Sequence, residues 1–277
     1  MSSDLTQWLA AGNEAHLNGD DEGAEVAYRR ALDEGEEDAA YYLGDLLVQL
    51  NRAEEAEPLL RGVIAAGDTD GHIPLGNALW DLERHDEAEI EYRAAAAVGQ
   101  TAAHLNLGMM FREQERFEDA AAELRLAGVE DPEALVELAI LLIEDLEDRE
   151  EEAEALLREA IDRGEEDGAI VLGSLLVEQE RDDDAEEVLR AAVERGSVAA
   201  MIDLANLLSE YEEGDEEAEQ LYRTALEHGD LDAENNLGVL LRDLGRTDEA
   251  LALLQRAADR GDELAAENLA ELKAELN

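Results

Sequence analysis

Residues 39–67 read AAYYLGDLLVQLNRAEEAEPLLRGVIAAG. Leu43, Leu46, Leu47 and Leu50 fall three, four and seven residues apart, which is one apolar stripe on a helix. The polar pair Asn51-Arg52 interrupts the stripe. A second run of the same period follows, seen most clearly in its counterpart Ala250, Leu253, Leu254 and Ala257. The stretch closes on Gly67, and glycine suits the left-handed residue that ends a helix. The segment is therefore a helical hairpin.

The hairpin recurs along the whole chain. A Leu-Gly or Leu-Ala pair returns at Leu43-Gly44, Leu75-Gly76, Leu107-Gly108, Leu138-Ala139, Leu172-Gly173, Leu204-Ala205, Leu237-Gly238 and Leu269-Ala270, and Ala11-Gly12 extends the series backwards. A second series, in the second helix, is Ala24, Ala56, Ala88, Ala120, Ala153, Ala185, Ala218 and Ala250. Five residues after each comes Arg29, Arg61, Arg93, Arg125, Arg158, Arg190 and Arg223, then Gln255. From small residue to alanine the step is 12, except for 14 in the fifth repeat and 13 in the seventh. From that alanine to the next small residue it is 20, except for 19 between Ala120 and Ala139. Length changes confined to two places predict two kinds of turn. The fifth-repeat insertion lies in 144–152, and the shortened junction carries Pro132, placed to open a helix. Asp68, Ser197, Asp230 and Asp262 follow a helix-ending glycine and predict N-caps for the next helix.

One hairpin cannot bury its own stripe, so neighbouring repeats must stack, with Gly or Ala on one helix accepting bulk from the next. Eight repeats are expected over 4–35, 36–67, 68–99, 100–131, 132–164, 165–196, 197–229 and 230–261, with a capping helix within 262–277. In that last helix the position of Leu47, Leu79 and Leu241 becomes Lys273, as a solvated end requires. Nothing alternates like a strand, so the expected class is all-α.

Composition narrows the function. Across 277 residues, 74 Asp and Glu stand against 21 Lys and Arg, a formal −53, and Lys273 is the single lysine. Such an excess excludes direct binding of a nucleic-acid backbone, which needs clustered cations, and argues against docking on anionic lipid. The absence of cysteine removes disulfides, thiolate metal sites and thiol nucleophiles. The start, Met1 to Trp8, lacks a signal-peptide pattern, and no run approaches the ~18 apolar residues of a membrane span. A cytoplasmic protein is expected.

On these residues the chain resembles the tetratricopeptide-repeat superfamily, whose pattern places Trp, Leu-Gly and Tyr on the first helix and Ala and Phe on the second. Trp8, Ala11-Gly12, Ala24 and Tyr28 carry it in the first repeat, and Leu43-Gly44, Leu47, Ala56 and Leu60 in the second. Ala31, Ala95, Ala127, Ala160, Ala192, Ala225 and Ala257 match the family's further alanine, with Val63 the exception. The junctions are similar to the SEL-like subfamily, in which nine residues separate the helix-ending glycine from the Leu-Gly glycine, as from Gly99 to Gly108. The resemblance implies a single right-handed α-solenoid over residues 4–277 that acts as an interaction scaffold without chemistry of its own.

In such relatives the first helices line a concave groove. The positions that would face it hold Asn13 and His16, Tyr41, Tyr42 and Asp45, Ile73, Asn77 and Trp80, Asn106, Met109 and Arg112, Ser174, Asp203 and Asn206, and Asn235, Asn236 and Arg242. The candidate partner-binding residues are Asn13, Tyr42, Asn77, Trp80, Asn106, Arg112, Asn206, Asn236 and Arg242. An asparagine offers a donor and an acceptor to a peptide backbone, and the aromatics offer anchors for apolar side chains. The lysines with which relatives clamp C-terminal carboxylates are missing from this face. The second-helix arginines are expected to pair with neighbouring carboxylates.

Catalytic and cofactor patterns fail in turn. Without a second lysine there is no GxxxxGK loop. The segment Asn18 to Gly23 places Arg29 where a calcium loop needs a bidentate Glu. His72 and His104, equivalent in adjacent repeats, would lie too far apart for one metal, and no serine sits in a GxSxG elbow. The expectation is no enzyme, no cofactor and no metal. The protein is read as a scaffold for a peptide or protein of basic character. The competing reading makes the acidity itself the function, in a chaperone-like or nucleic-acid-mimicking sequestrator of basic proteins.

Overall fold

The computed structural model describes residues 2–146, 149–211 and 213–276. Among them lie seventeen α-helices and no strand. They form two compact units, residues 1–134 and 135–277. The first holds the hairpins α1 (Ser2–Leu17) with α2 (Asp21–Asp33), α3 (Ala39–Gln49) with α4 (Ala53–Ala65), α5 (His72–Asp81) with α6 (His85–Ala97), and α7 (Ala102–Glu113) with α8 (Phe117–Ala127). The second holds α9 (Glu133–Glu144) with α10 (Glu150–Asp162), α11 (Asp167–Glu178) with α12 (Asp182–Glu194), α13 (Val198–Ser209) with α14 (Asp215–Glu227), and α15 (Ala233–Asp243) with α16 (Thr247–Asp259). It ends on the expected capping helix, α17 (Glu263–Glu275), where Lys273 is exposed.

Inside each unit the second helix of one hairpin packs on the first helix of the next, as α2 on α3 or α12 on α13. First helices also approach one another, α3 with α5, and α11, α13, α15 and α17 in sequence, while among the described residues no second helices come as close to each other. Each unit is therefore tighter on the side of its first helices, and that side is its inner face.

The small-residue notch explains the packing. Every member of the series Ala24, Ala56, Ala88, Ala120, Ala153, Ala185, Ala218 and Ala250 has no exposed surface. A methyl group on Gly44 would lie 2.6 Å from Leu60, and on Gly108 2.5 Å from Leu124. On Gly12 or Gly76 it would lie 2.4 Å from the ring of Tyr28 or Tyr92. The glycines thus face the bulk of the partner helix, and each leucine or tyrosine buried there contributes about 1.5–3 kcal/mol.

The turns divide as the length changes predict. Gly35, Gly67, Gly99, Gly164, Gly196, Gly229 and Gly261 end the second helices at φ between 90° and 98°. Inside the hairpins the left-handed residue is Gly19, Asn51, Glu83, Glu115, Glu180 or Gly245, at φ between 57° and 74°. The fifth-repeat insertion falls between α9 and α10, and residues 147–148 of it lie outside the described residues. The expected caps are half right. Ser197 and Asp262 accept the N–H of Ala200 and Ala265 at 3.3 and 2.9 Å. Asp68 instead accepts from Asp70 at 3.0 Å and opens a short 3₁₀ turn, Thr69–Gly71, ahead of α5. Asp230 likewise accepts from Asp232 (3.1 Å), before α15 begins. Pro132 is not the first helical residue, because the Asp131 carboxylate takes the Glu133 N–H at 3.0 Å and α9 starts there.

The second-helix arginines do pair with carboxylates. Arg29, Arg61, Arg93, Arg158, Arg190 and Arg223 each meet the Glu four residues earlier, within 2.7–2.9 Å. A second arginine series completes the pattern from the following hairpin. Arg52 reaches back to Glu25 (2.7 Å), Arg84 to Glu57 (2.8 Å), Arg181 to Glu154 (2.6 Å) and Arg246 to Glu219 (2.6 Å). These glutamates hold pKa values below the ordinary carboxylate range, each chiefly through the hydrogen bond from that next-hairpin arginine. Partly exposed pairs of this kind are worth about 0.2–1 kcal/mol each, so the ladder sets register more than it supplies stability.

Candidate functional site

The predicted groove residues fall into three groups. In the first unit Asn13 lies on α1, where its Oδ1 accepts from the Tyr28 hydroxyl at 2.8 Å. Tyr42 stacks on Tyr28 with ring centroids 5.8 Å apart and meets Tyr41 edge-on at 5.3 Å. Tyr42 keeps 38% of its surface exposed, so one ring face is open.

The second group, also in the first unit, lines a cavity of about 460 Å3 between α3, α5 and α7. Asn77, Trp80, Asn106 and Met109 contribute, together with Val48, Asp81 and Glu113. Trp80 is half-buried and its indole packs against the His85 ring, centroids 4.3 Å apart. Asn77 Oδ1 accepts from the Tyr92 hydroxyl at 2.8 Å and, more weakly, from Asn106 Nδ2 at 3.5 Å. Burial pushes the Asp81 carboxyl up, so the cavity carries an acid that gains from a nearby cation.

The third group lies in the second unit around a cavity of about 930 Å3. Asn206 Oδ1 accepts from the Tyr222 hydroxyl at 2.6 Å and from Asn236 Nδ2 at 3.0 Å. Asn236 Oδ1 accepts from Asn235 (3.2 Å), and Asn235 Oδ1 accepts from Asn268 of α17 (2.8 Å). Four amides thus chain across α13, α15 and α17. Glu210, Asp215 and Asp243 line the same cavity. Asn235 is 5% exposed and acts as the buried link in that chain. Burial raises the Tyr222 hydroxyl to about 12, so it stays a hydrogen-bond donor throughout the physiological range.

Two candidates stand apart from these cavities. Arg112 is half-buried on α7, and Arg242 donates to Asp243 at 2.9 Å. The histidines resolve as hairpin pairs: His72 Nδ1 lies 2.7 Å from Glu91, and His104 Nδ1 lies 2.7 Å from Glu123. Among the described residues no cluster of His, Asp and Glu is arranged to hold a metal ion.

The asparagines do less, and something more definite, than a free amide would. With Oδ1 of Asn13, Asn77 and Asn206 held by a tyrosine hydroxyl, the Nδ2 groups are what a ligand meets. These three residues are N–H donors directed at acceptors, so the expected donor-and-acceptor grip is halved. The signal was present in the sequence: tyrosine occupies this second-helix position only as Tyr28, Tyr92 and Tyr222, and asparagine follows the notch residue only in those repeats. Asn268 escaped sequence reasoning because it sits in the helix assigned to capping.

Paired antiparallel helices of about a dozen residues, with a Gly or Ala notch against Leu or Tyr, define a helical-repeat scaffold. Tetratricopeptide-repeat profiles match residues 9–71 and 73–134, and a further one matches 232–262, together more than half of the chain. The chain belongs to the tetratricopeptide-repeat family. Yeast Tom70 has a similar fold at 17% identity and a TM-score of 0.65, over 92% of this chain and 60% of Tom70. A tetratricopeptide-repeat protein of Parabacteroides merdae gives 11% and 0.55 over 97% and 98% of the two chains. A thermophilic one of Thermus thermophilus gives 22% and 0.51 over 62% and 99%. No curated protein matches the sequence. No described helix is long and apolar enough to cross a membrane.

Proposed function

We propose that the chain is a non-enzymatic scaffold that binds a peptide or protein of basic character on the face formed by its first helices. The single observation that carries this is the cavity around Asn77, Trp80, Asn106 and Met109. It joins an aromatic anchor and oriented amide donors to Asp81 and Glu113, on a chain with a formal charge of −53. Acids would receive lysine or arginine side chains, amide N–H groups would receive backbone carbonyls, and steering by the net charge would speed encounter. The nine-residue junctions favour the SEL-like branch of the family, working as one array over residues 4–277.

Affinity capture from native lysate at two salt concentrations tests the reading, with wild type against Trp80→Ala combined with Asn106→Ala. Asn77 is left intact because it holds the Tyr92 hydroxyl. Specific partners should disappear from the variant. Retention of the same partners would remove the groove, and uniform release by salt regardless of the substitutions would favour sequestration by acidity alone.

A further inference from the structure

A different chemistry marks the start of the second unit. Between α9 and α11 a cavity of about 260 Å3 is lined by Ile140, Ile143, Ile170, Val171 and Leu175, with Ser174 at its edge and Glu144 and Glu178 among its lining residues. Ile140, Ile143, Ile170 and Val171 are all half-buried, so each keeps part of its surface open to the cavity. In the register of the repeat, Ile140 stands where Asn77 and Asn206 stand, and Ile143 stands where Trp80 does. The notch neighbours Leu138, Leu142, Leu172 and Leu176 are fully buried, whereas these four branched aliphatics at inner-face positions leave apolar surface that a partner could cover.

Size and charge narrow the occupant. The volume lies below the about 300 Å3 at which drug-sized sites begin, so the slot suits one or two side chains rather than a small molecule. Glu178 is exposed and makes no ion pair among the described residues. One helix further along the same face, at the position equivalent to Val171, α13 presents Asp203, also without a counter-ion. The sequence thus sets an aliphatic slot directly before an acidic step.

We propose that the slot between α9 and α11 anchors a leucine-sized apolar side chain of a partner segment whose flanking residues are lysine or arginine. This rests on the scaffold reading and narrows it, since it makes the partner amphipathic as well as basic. Burial holds the Asp203 carboxyl above its ordinary range, which is the environment a partner's cation would reverse.

The test uses the full chain and fluorescein-labelled synthetic peptides read by anisotropy: one of leucine and lysine, one with the leucines changed to serine, and one with the lysines changed to glutamate. The Leu/Lys peptide should bind at least about tenfold more tightly than the Ser/Lys peptide, and the Leu/Glu peptide should not bind. Ser174→Trp fills the mouth of the slot while leaving the residues of its apolar wall unchanged, and should bring Leu/Lys binding down to the Ser/Lys level. Ile143→Ser with Ile170→Ser should do the same if it keeps the wild-type circular dichroism. Glu178→Gln with Asp203→Asn should weaken binding and flatten its salt dependence. Equal binding of the Leu/Lys and Ser/Lys peptides, or indifference to Ser174→Trp, overturns the slot. So does a self-association of the chain that Ser174→Trp abolishes, because a second copy would then be the occupant. The two failures are separable. If Trp80→Ala with Asn106→Ala abolishes peptide binding and the slot variants do not, the scaffold survives without the slot; if neither set matters, both readings fall.

Discussion

One methyl group on Gly76 tests the notch directly. In Gly76→Ala the new carbon would sit 2.4 and 2.6 Å from Tyr92 Cε1 and Cδ1 and 3.0 Å from Cζ. The ring cannot simply swing aside, because it is 4% exposed and its hydroxyl is held by Asn77 at 2.8 Å. Overpacking of this kind costs about 1–3 kcal/mol, and loosening the tyrosine hydrogen bond adds about 1 kcal/mol. Against this, alanine in a helix interior gains about 1 kcal/mol over glycine. The net is about 1–3 kcal/mol of destabilisation, a fall of roughly 3–10 °C in the thermal midpoint for a unit of this size. Repeat seven supplies the contrast. There Ala205 holds the notch register with Tyr222 buried in the register of Tyr92, and the tyrosine's hydroxyl partner Asn206 lies 16 residues before it rather than 15. The two repeats that carry alanine in the notch, at Ala139 and Ala205, are also the two whose hairpins are longer than the rest. An extra turn residue is the sequence change that would let the helices part by the width of a methyl group. Inserting one residue between Leu82 and Glu83 should therefore recover part of the loss in Gly76→Ala, whereas Ala205→Gly should cost about 1 kcal/mol in propensity alone. A melt by circular dichroism decides the matter: a Gly76→Ala midpoint equal to or above wild type refutes the notch.

The accessible surface is 14918 Å2, about one excess negative charge per 280 Å2, or a spacing of roughly 17 Å. That exceeds the screening length at physiological salt and falls below it near 0.01 M, so the melting midpoint should rise between low and molar salt; no rise would mean that the repulsion is already relieved locally. With pH two trends oppose. Glu25, Glu57, Glu154 and Glu219 have lowered folded pKa values, so their stabilisation is complete above the unfolded value of about 4.3 and is lost as pH falls through the lower folded values. Burial raises Asp45 and Asp203, and their penalty is relieved as pH falls through those raised values. Urea unfolding across the acid range should show stability gained as pH falls through the raised Asp45 and Asp203 values and lost as it falls on through the lowered glutamate values. Glu83→Gly replaces a side chain held at φ 58° and should stabilise by about 0.5–1 kcal/mol, measured as a higher urea midpoint at unchanged slope.

The fold was legible because its determinants repeat. Each notch, each alanine and each helix-ending glycine is sampled eight times or nearly so, and a periodic apolar stripe admits one solution. What escaped was local and unrepeated. The Asp68 and Asp230 carboxylates took a nearer N–H than that of the next helix, and nothing in their type distinguishes them from Ser197 and Asp262. The second arginine series was overlooked because Arg52, Arg84, Arg181 and Arg246 lie in the turns, where charge reads as solvation, yet each joins two hairpins.

The inner face was only partly legible for a reason the packing makes plain. Residues in the notch answer to a neighbour in the same chain, so their identity is dictated eight times over by one geometry. Residues one and four places beyond it follow no such single geometry, and their types differ from repeat to repeat: Asn77 and Trp80 in the third repeat, Met109 and Arg112 in the fourth, Ile140 and Ile143 in the fifth. The exceptions are Asn13, Asn77 and Asn206, whose amides are tied to Tyr28, Tyr92 and Tyr222. The polar groups Asn13, Asn77 and Asn206 are thus engaged in the fold, while Ile140 and Ile143 fill the same register with half-buried aliphatic side chains. Under the proposed function, it is at these varied positions on a fixed scaffold that a partner would be told apart.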